Sequence, residues 1–427
     1  MQVDVSMPSI HFPQPSFEDE ISASGFETEQ TRRPAIKLAR LIEELEILSG
    51  LGALPGDVVL TSVVPPAGEL PAVFDGIQFM NIEAASETIN RQKRLWRFEP
   101  WGWSPSALKI ATTLGLECET ASLDSVRIVN SRQFSSQFDI AIDLETEERT
   151  TPFGTLCRTV PEVIESLERY SLQNDGRWVI KANISHAARN RVLGSGQLRE
   201  SQLQWLESQL AQAPVYVEPW VERIAECGLQ FDVGKRGASS FLGAAEMITD
   251  LQGQYHGSIL RPCETEAANA PSTTVGHWWK PSIDHGQTIV EAASDLGFRG
   301  PLGIDCMVFR EAGRLRLRLA HDINGRRTMG RLALSLRRHV PRGHWACWCF
   351  ASAKSEQSIS EALRESSTAG VQIMPTSPAQ LCGRATTLRT CLAISADWKL
   401  LNQVAQKILS HDIRGPFDRD TSGTHEP

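Results

Sequence analysis

The sequence predicts a mixed fold, α/β near the N-terminus and α+β beyond it, on three observations. Helical and strand patterns alternate from Pro34 to about residue 125, the mark of a small α/β domain. They alternate again between Thr159 and Val221. "PLGIDCMVFREAGRLRLRLAHDIN", residues 301–324, reads as two strands joined by a turn at Glu311 to Gly313, the signature of an antiparallel pair.

Composition agrees with a globular chain. The 427 residues carry a formal charge of −8, with 41% apolar and 22% charged residues. That suits two to three domains at about 150 residues each. Net acidity removes the basic footprint that non-specific nucleic-acid binding needs. Nine cysteines, isolated except for Cys347 and Cys349, show no zinc spacing, and an odd number suits reduced thiols. The start, "MQVDVSMPSIHFPQPSFEDE", lacks the basic and apolar segments of a signal peptide, and no apolar run approaches a membrane span. The expectation is a cytoplasmic protein with neither nucleic-acid nor membrane partners.

Taken in order, residues 1–33 are rich in Ser, Pro, Gln and Glu and read as a disordered arm. Leu38, Leu41, Ile42, Leu45 and Leu48 follow helical spacing, and Gly50 can stop that helix. "DVVLTSVV" is a buried-strand pattern. In "WGWSPSALKIATTLG" Ser104 is the expected N-cap, Pro105 the first helical residue and Gly115 the stop. These elements make an N-terminal domain over 34–125. Thr159 and Glu162 have capping-box spacing, with Val163, Ile164 and Leu167 on one helix face. "RWVIKANI" is a strand carrying Lys181, followed by the basic stretch "SHAARNRVLGSGQ", a helix from Glu200 to Leu210 and the strand "VYVEPWV". Residues 226–262 read as short strands and turns, 287–296 as a helix closed by Gly297, and "TMGRLALSLRR" as a helix. A strand near "TLRTCLAI", a helix from Asp397 to Leu409 and a loose tail complete the chain.

The chemistry gathers in "AHDINGRRTMG". If the strand runs on, Asp322 and Asn324 share a face, since side chains two apart point the same way. Asp305 lies on the partner strand. Two carboxylates and an amide oxygen are hard donors that suit Mg²⁺ together with phosphate oxygens and water. Lys181 offers a point charge to phosphate, and Arg326 and Arg327 offer forked donors. The structural alternatives are a simple Asn-Gly hairpin turn, a solvated Lys181, and a wet sheet face for Arg314, Arg316 and Arg318. An EF-hand is excluded by the early Gly and the missing distal acidic ligands. Cys347-Trp348-Cys349 reads as packing more than redox chemistry, and Trp278 with Trp279 as packing more than a stacking platform. His186 reads as solvated.

The order of these features resembles the ATP-grasp superfamily, over about residues 126–330. The resemblance implies an N-terminal α/β domain (34–125), a small lid (126–216), a larger body with metal-binding strands (217–340) and a C-terminal extension (341–427). It implies that Lys181 contacts the α/β-phosphates. Val217, Glu218 and Trp220 would form the hinge whose backbone meets adenine. Glu226 would bind ribose, and Arg132 phosphate. Asp305, Asp322 and Asn324 would hold Mg²⁺. Arg326 and Arg327 would contact substrate or γ-phosphate as catalytic groups. Two departures stand out: Asp322 occupies a position where Glu is more usual, and the stretch Asn183, Ile184, Ser185, His186 lacks the glycines that let backbone amides approach phosphate. Arg189 and Arg191 offer charge in their place. The implied activity is Mg²⁺- and ATP-dependent ligation of a small-molecule carboxylate to an amine through an acyl phosphate. A nucleotide-binding regulator and a small-molecule kinase are the alternatives. Neither the substrates nor the oligomeric state is legible.

Overall fold

A computed structural model describes residues 7–22, 36–92, 95–150, 153–171, 176–184, 190–234, 238–262, 277–351, 370–409 and 413–414. The N-terminal unit holds strand β1 (Ser9–Phe12), helices α1 (Phe17–Ser22) and α2 (Ile36–Leu48), strands β2 (Val58–Leu60) and β3 (Gln78–Met80), helix α3 (Ile82–Gln92), strand β4 (Arg97–Pro100) and helices α4 (Pro105–Thr113), α5 (Leu123–Val129) and α6 (Arg132–Ser135). Its sheet is parallel, in the order β3-β2-β1-β4. Parallel neighbours need crossovers, which α2 and α3 help to supply. Helix α4 keeps its sequence signals: Ser104 Oγ accepts from Ala107 N at 3.3 Å, Pro105 opens the helix, and Gly115 has φ +63°.

The disordered-arm reading of 1–33 is corrected. Strand β1 is central in the sheet, with Ile10 opposite Val58 on one side and Phe98 on the other. Asp57 fixes it from below, accepting from Ser9 N at 2.7 Å and lying 3.1 Å from His11 Nε2. Ile10 and Phe17 are fully buried. Four strand residues between Pro8 and Pro13 are too few to lift a local composition average. Residues 1–6 and 23–35 lie outside the described set. Ile10→Val is expected to cost about 0.5–1.5 kcal/mol in urea unfolding; a disordered arm would register nothing.

Strands β5 (Ala141–Asp143) and β6 (Arg149–Thr150) come next in the chain but join the large sheet described below. The chain then builds a small unit from β7 (Thr155–Cys157), α7 (Val160–Ser171), β8 (Arg177–Lys181), β9 (Arg191–Ser195), α8 (Glu200–Leu210) and β10 (Val215–Pro219). Its antiparallel order is β7-β10-β8-β9. Val163 and Leu167 of α7 and Leu206 of α8 pack against Trp178 and Ile180. The capping box at α7 is half made. Thr159 Oγ1 accepts from Glu162 N at 3.4 Å, while the Glu162 carboxylate turns to Arg158 N at 2.7 Å.

The large sheet follows: β11 (Glu222–Val233), β12 (Ser239–Asp250), β13 (Tyr255–Leu260), helix α9 (Lys280–Asp295), β14 (Gly300–Glu311), β15 (Arg314–Asn324), helix α10 (Met329–Ser335), β16 (Trp345–Ala351), β17 (Gln372–Pro375), the hairpin β18 (Gln380–Leu381) and β19 (Arg384–Ala385), β20 (Arg389–Ser395), helix α11 (Trp398–Leu409) and β21 (Ile413–Arg414). The order is β17-β20-β16-β13-β12-β11-β14-β15-β5-β6, with β21 against β12 and the β18–β19 hairpin apart. The β14–β15 turn is where expected, with Ala312 and Gly313 both at positive φ. Residues 226–262 form long strands and not short ones; Gly228, Gly243, Gly253 and Gly257 give that run the look of turns. The expected domain boundaries move as well. The one at 216/217 falls inside β10, β5 and β6 belong to the large sheet, and β16, β17 and β20 extend that sheet where an appended extension was expected. Trp279 is buried, its Nε1 donating to Glu246 Oε1 at 3.0 Å. Among the described residues no helix is long and apolar enough to cross a membrane.

Candidate active site

Strand β10 leaves the small sheet and becomes β11 of the large sheet after only Trp220 and Val221. Trp220 N donates to Arg177 O at 2.9 Å, so the crossing stays tied to the small sheet. Beneath this hinge opens a cleft of about 490 Å³. Lys181, Glu218 and Trp220 line it from the small unit, Arg132 from α6, and Glu226, Asp305, His321 and Asp322 from the large sheet. The structure thus brings together Arg132, Lys181, Glu218, Trp220, Glu226, Asp305 and Asp322. Val217 is fully buried in β10, opposite Ile180.

A buried ionic array underlies the cleft. Lys181 Nζ lies 2.6 Å from Glu218 Oε1, and Arg318 Nη2 lies 2.7 Å from Glu218 Oε2. Arg318 grips Asp139 with two donors, Nε at 2.6 Å and Nη2, and Tyr216 also donates to Asp139. The Arg318 guanidinium sits 4.1 Å from the Phe153 ring centroid. Arg318 is fully buried, which corrects the wet-face reading of the arginine ladder. Its neighbours behave differently: Arg314 is exposed, 3.6 Å from Asp143, and Arg316 pairs with Glu311. Arg316 and Arg318 both lie opposite β5, at Asp143 and Ala141, but it is Arg318 that pairs with Glu218 of the small unit. Burial pushes the Glu218 carboxyl up, but Arg318 and Lys181 outweigh it and hold it well below the ordinary carboxylate range. Burial lowers Lys181 and is only partly opposed by Glu218.

Asp305 and Asp322 face each other in register across β14 and β15, and Asn324 faces Gly303. The register slips between Asp305 and Met307. Such a bulge re-aims side chains, and here both His321 and Asp322 reach the cleft. Asp322 Oδ2 accepts from Arg132 Nη2 at 2.8 Å, and Arg132 Nη1 donates to His321 O at 3.1 Å. Asn324 Nδ2 donates to Asp305 Oδ2 at 3.1 Å. Burial and the neighbouring Asp322 charge push Asp305 up to about 7. Two carboxylates that cannot both ionise easily are the donor set a divalent cation relieves, so the residues fit Mg²⁺. Among the described residues no three His, Cys, Asp or Glu side chains converge to hold a metal; Asn324 does not line the cleft, and a third oxygen from it would require a flip of the amide that now donates to Asp305.

Glu226 accepts from Thr249 Oγ1 and lies 3.6 Å from Arg223 Nη1. Trp220 has Arg223 4.4 Å and Arg191 5.5 Å from its ring centroid. Arg191 also donates to Gln252 O, linking β9 to the large sheet. Arg326 and Arg327 do not line the cleft. Arg326 pairs with Glu18, and Arg327 Nη2 lies 2.6 Å from Glu99 Oε2 while its N donates to Trp101 O at 2.7 Å. Both arginines tie the end of the acidic strand pair to the N-terminal unit in this structure. Half of that clamp comes from α1, inside the stretch read as an arm. Ser185, His186 and Arg189 lie outside the described residues. Sequence reasoning missed Asp139, Tyr216, Arg318 and His321. The His321 Nε2 has no hydrogen-bond partner among the described residues, and burial, Arg318 and Lys181 hold the ring well below its ordinary value, hence neutral. No local pattern announces a bulge.

No protein-family model and no curated protein matches the chain. Solved structures do. An N5-carboxyaminoimidazole ribonucleotide synthetase in complex with ADP matches with TM-score 0.51 at 10% identity, over 94% of this chain and 97% of that one. The N5-carboxyaminoimidazole synthetase of Staphylococcus aureus matches with TM-score 0.51 at 11% identity, over 94% and 97%. Pyruvate carboxylase of Rhizobium etli matches with TM-score 0.50 at 10% identity, over 91% of this chain and 36% of that one. The chain has the ATP-grasp fold. In ATP-grasp terms, the four-stranded antiparallel unit is the lid, the large sheet is the body, and Trp220 and Val221 connect them. The parallel N-terminal sheet completes the ATP-grasp arrangement.

Proposed function

We propose that this ATP-grasp protein binds Mg·ATP between lid and body and joins a carboxylate to an amine with release of ADP and phosphate. One observation carries the reading: a lid ammonium, an α6 guanidinium and a body carboxylate pair open onto a single cleft. Lys181 and Arg132 would offset phosphate charge, Glu226 would receive the ribose hydroxyls, and the backbone at Val217 to Trp220 would meet the base. Asp305, Asp322 and Asn324 would hold Mg²⁺, which supplies charge neutralisation for the transferring phosphoryl group. Arg132 would then exchange its ion pair with Asp322 for phosphate. A carboxylate oxygen attacks the γ-phosphorus and the bond to ADP breaks. The amine attacks the acyl carbon, phosphate leaves, and the amine loses a proton. Such chemistry rests on positioning and electrostatics. Arg326 and Arg327 would hold the frame and not the reacting atoms. The ADP in a solved structure of this fold supports the nucleotide assignment.

The Arg132–Asp322 pair also favours a second reading, a nucleotide-binding regulator without turnover, because it already engages one metal ligand. Mg·ATP at a hundred times its Kd is expected to add about 2.7 kcal/mol of stability, read as a rise in melting temperature. Hydroxylamine should then trap a hydroxamate from the right acid. A melting shift with no hydroxamate from any acid would favour the regulator; no shift at all would remove both readings.

A further inference from the structure

One wall of the same cleft has no part in handling charge. Leu41 and Leu45 of α2, Tyr255 of β13, Met329 of α10 and Phe350 of β16 all line it, each half-buried. Leu41 and Leu45 stand four residues apart and therefore share a helix face. The polar handles of the aromatic cluster are spent elsewhere. Tyr255 Oη and Ser258 Oγ are 2.8 Å apart, and Trp348 Nε1 donates to Thr376 Oγ1 at 2.9 Å. The Tyr255 and Phe350 rings meet edge-on with centroids 5.3 Å apart, and Phe350 leans on Trp348 at 4.7 Å. The wall thus presents carbon to the cleft.

The roof of the wall is pinned. Glu44, buried on α2, accepts from Thr387 N at 2.9 Å, Thr387 Oγ1 at 2.9 Å and Leu388 N at 2.6 Å. These bonds fix the helix carrying Leu41 and Leu45 against the last part of the body sheet. The hinge enters the body at β11, and β12 stands between β11 and the wall's β13.

Resting on the ligase reading, we propose that the phosphoryl-accepting acid carries an aryl or branched-alkyl body that lies against Leu41, Leu45, Tyr255, Met329 and Phe350. The wall offers nothing that would select a bare polar acid such as bicarbonate.

The test is a panel of acetate, bicarbonate, succinate, isovalerate and 3-phenylpropionate with Mg·ATP and hydroxylamine. ADP release reports turnover, and saturation-transfer NMR on the acid protons reports binding for the four organic acids. Affinity is expected to rise about fourfold for each methylene equivalent buried, so 3-phenylpropionate should lead. L41S and L45S should each lower its affinity about tenfold while the Mg·ATP melting shift persists. Three results overturn the proposal but spare the ligase reading: the polar acids matching or exceeding the aryl acid, no apolar acid binding while Mg·ATP still does, or the leucine variants losing the Mg·ATP shift, which would give the wall to the base. No Mg·ATP shift in the wild-type chain overturns both.

Discussion

Arg318→Met is expected to destabilise the protein by about 3–5 kcal/mol, the cost of breaking a buried charge cluster from one side. Arg318 is the single cation shared by Asp139 and Glu218, which lie 2% and 6% exposed at the side chain. Methionine fills much of the volume but, among the described residues, leaves Asp139 with the Tyr216 hydroxyl and Glu218 with Lys181. The pH dependence gives a sharper readout. In the wild-type chain Glu218 is held low, despite burial, by Arg318 and then Lys181. A carboxyl depressed in the folded state contributes stability that is fully present above its unfolded value, about 4.3, and is lost as pH falls toward the folded one. In the variant burial is opposed by Lys181 alone, so Glu218 rises and the contribution flattens or reverses. Urea unfolding at pH about 4.5 and about 7 should show the penalty shrinking at the lower pH. A penalty under about 1 kcal/mol at both would mean the array does not hold lid to body. Arg318→Lys, keeping the charge but losing the two-donor fork, should fall between.

Lys181→Met is expected to lower ADP release by about 10²–10³-fold, the usual consequence of deleting one preorganised electrostatic contact, and to remove most of the Mg·ATP melting shift. Its fold should survive better than that of Arg318→Met, because Glu218 keeps Arg318. Asp322→Asn should match it in nucleotide response for a different reason: it removes one of the two facing carboxylates and takes the negative charge out of the contact with Arg132. Wild-type responses from both variants would show that nucleotide binds elsewhere or not at all.

Much of the lid was legible because its signals are short-range. Helix α7, the strand ending at Lys181 and the Glu200–Leu210 helix stand where local pattern puts them, with Val163 and Leu167 of α7 buried and Ile164, expected beside them, exposed. The β14–β15 hairpin was legible too, and with it the opposition of Asp305 and Asp322. Other features were not. Arg318 is indistinguishable in its own strand from Arg314 and Arg316, yet it is Arg318 that pairs with Glu218 of the lid and is fully buried. Arg326 and Arg327 follow the acidic motif in sequence, but their partners Glu18 and Glu99 come from hundreds of residues upstream. The apolar wall needs five residues from four elements, none of which marks its neighbours.

By itself, then, the sequence determined many of the helices and strands, where several of them stop, and that two acids and an amide lie near the end of a strand pair. Those follow from side-chain periodicity and capping, forces that act within a few residues. Tertiary structure alone decided that Ser9–Phe12 is the centre of a sheet, that one arginine in a ladder of three is buried between two carboxylates, and that Lys181 confronts Asp305 and Asp322 across a cleft. Burial and charge pairing depend on what distant chain covers a residue, and no window of local sequence carries that information.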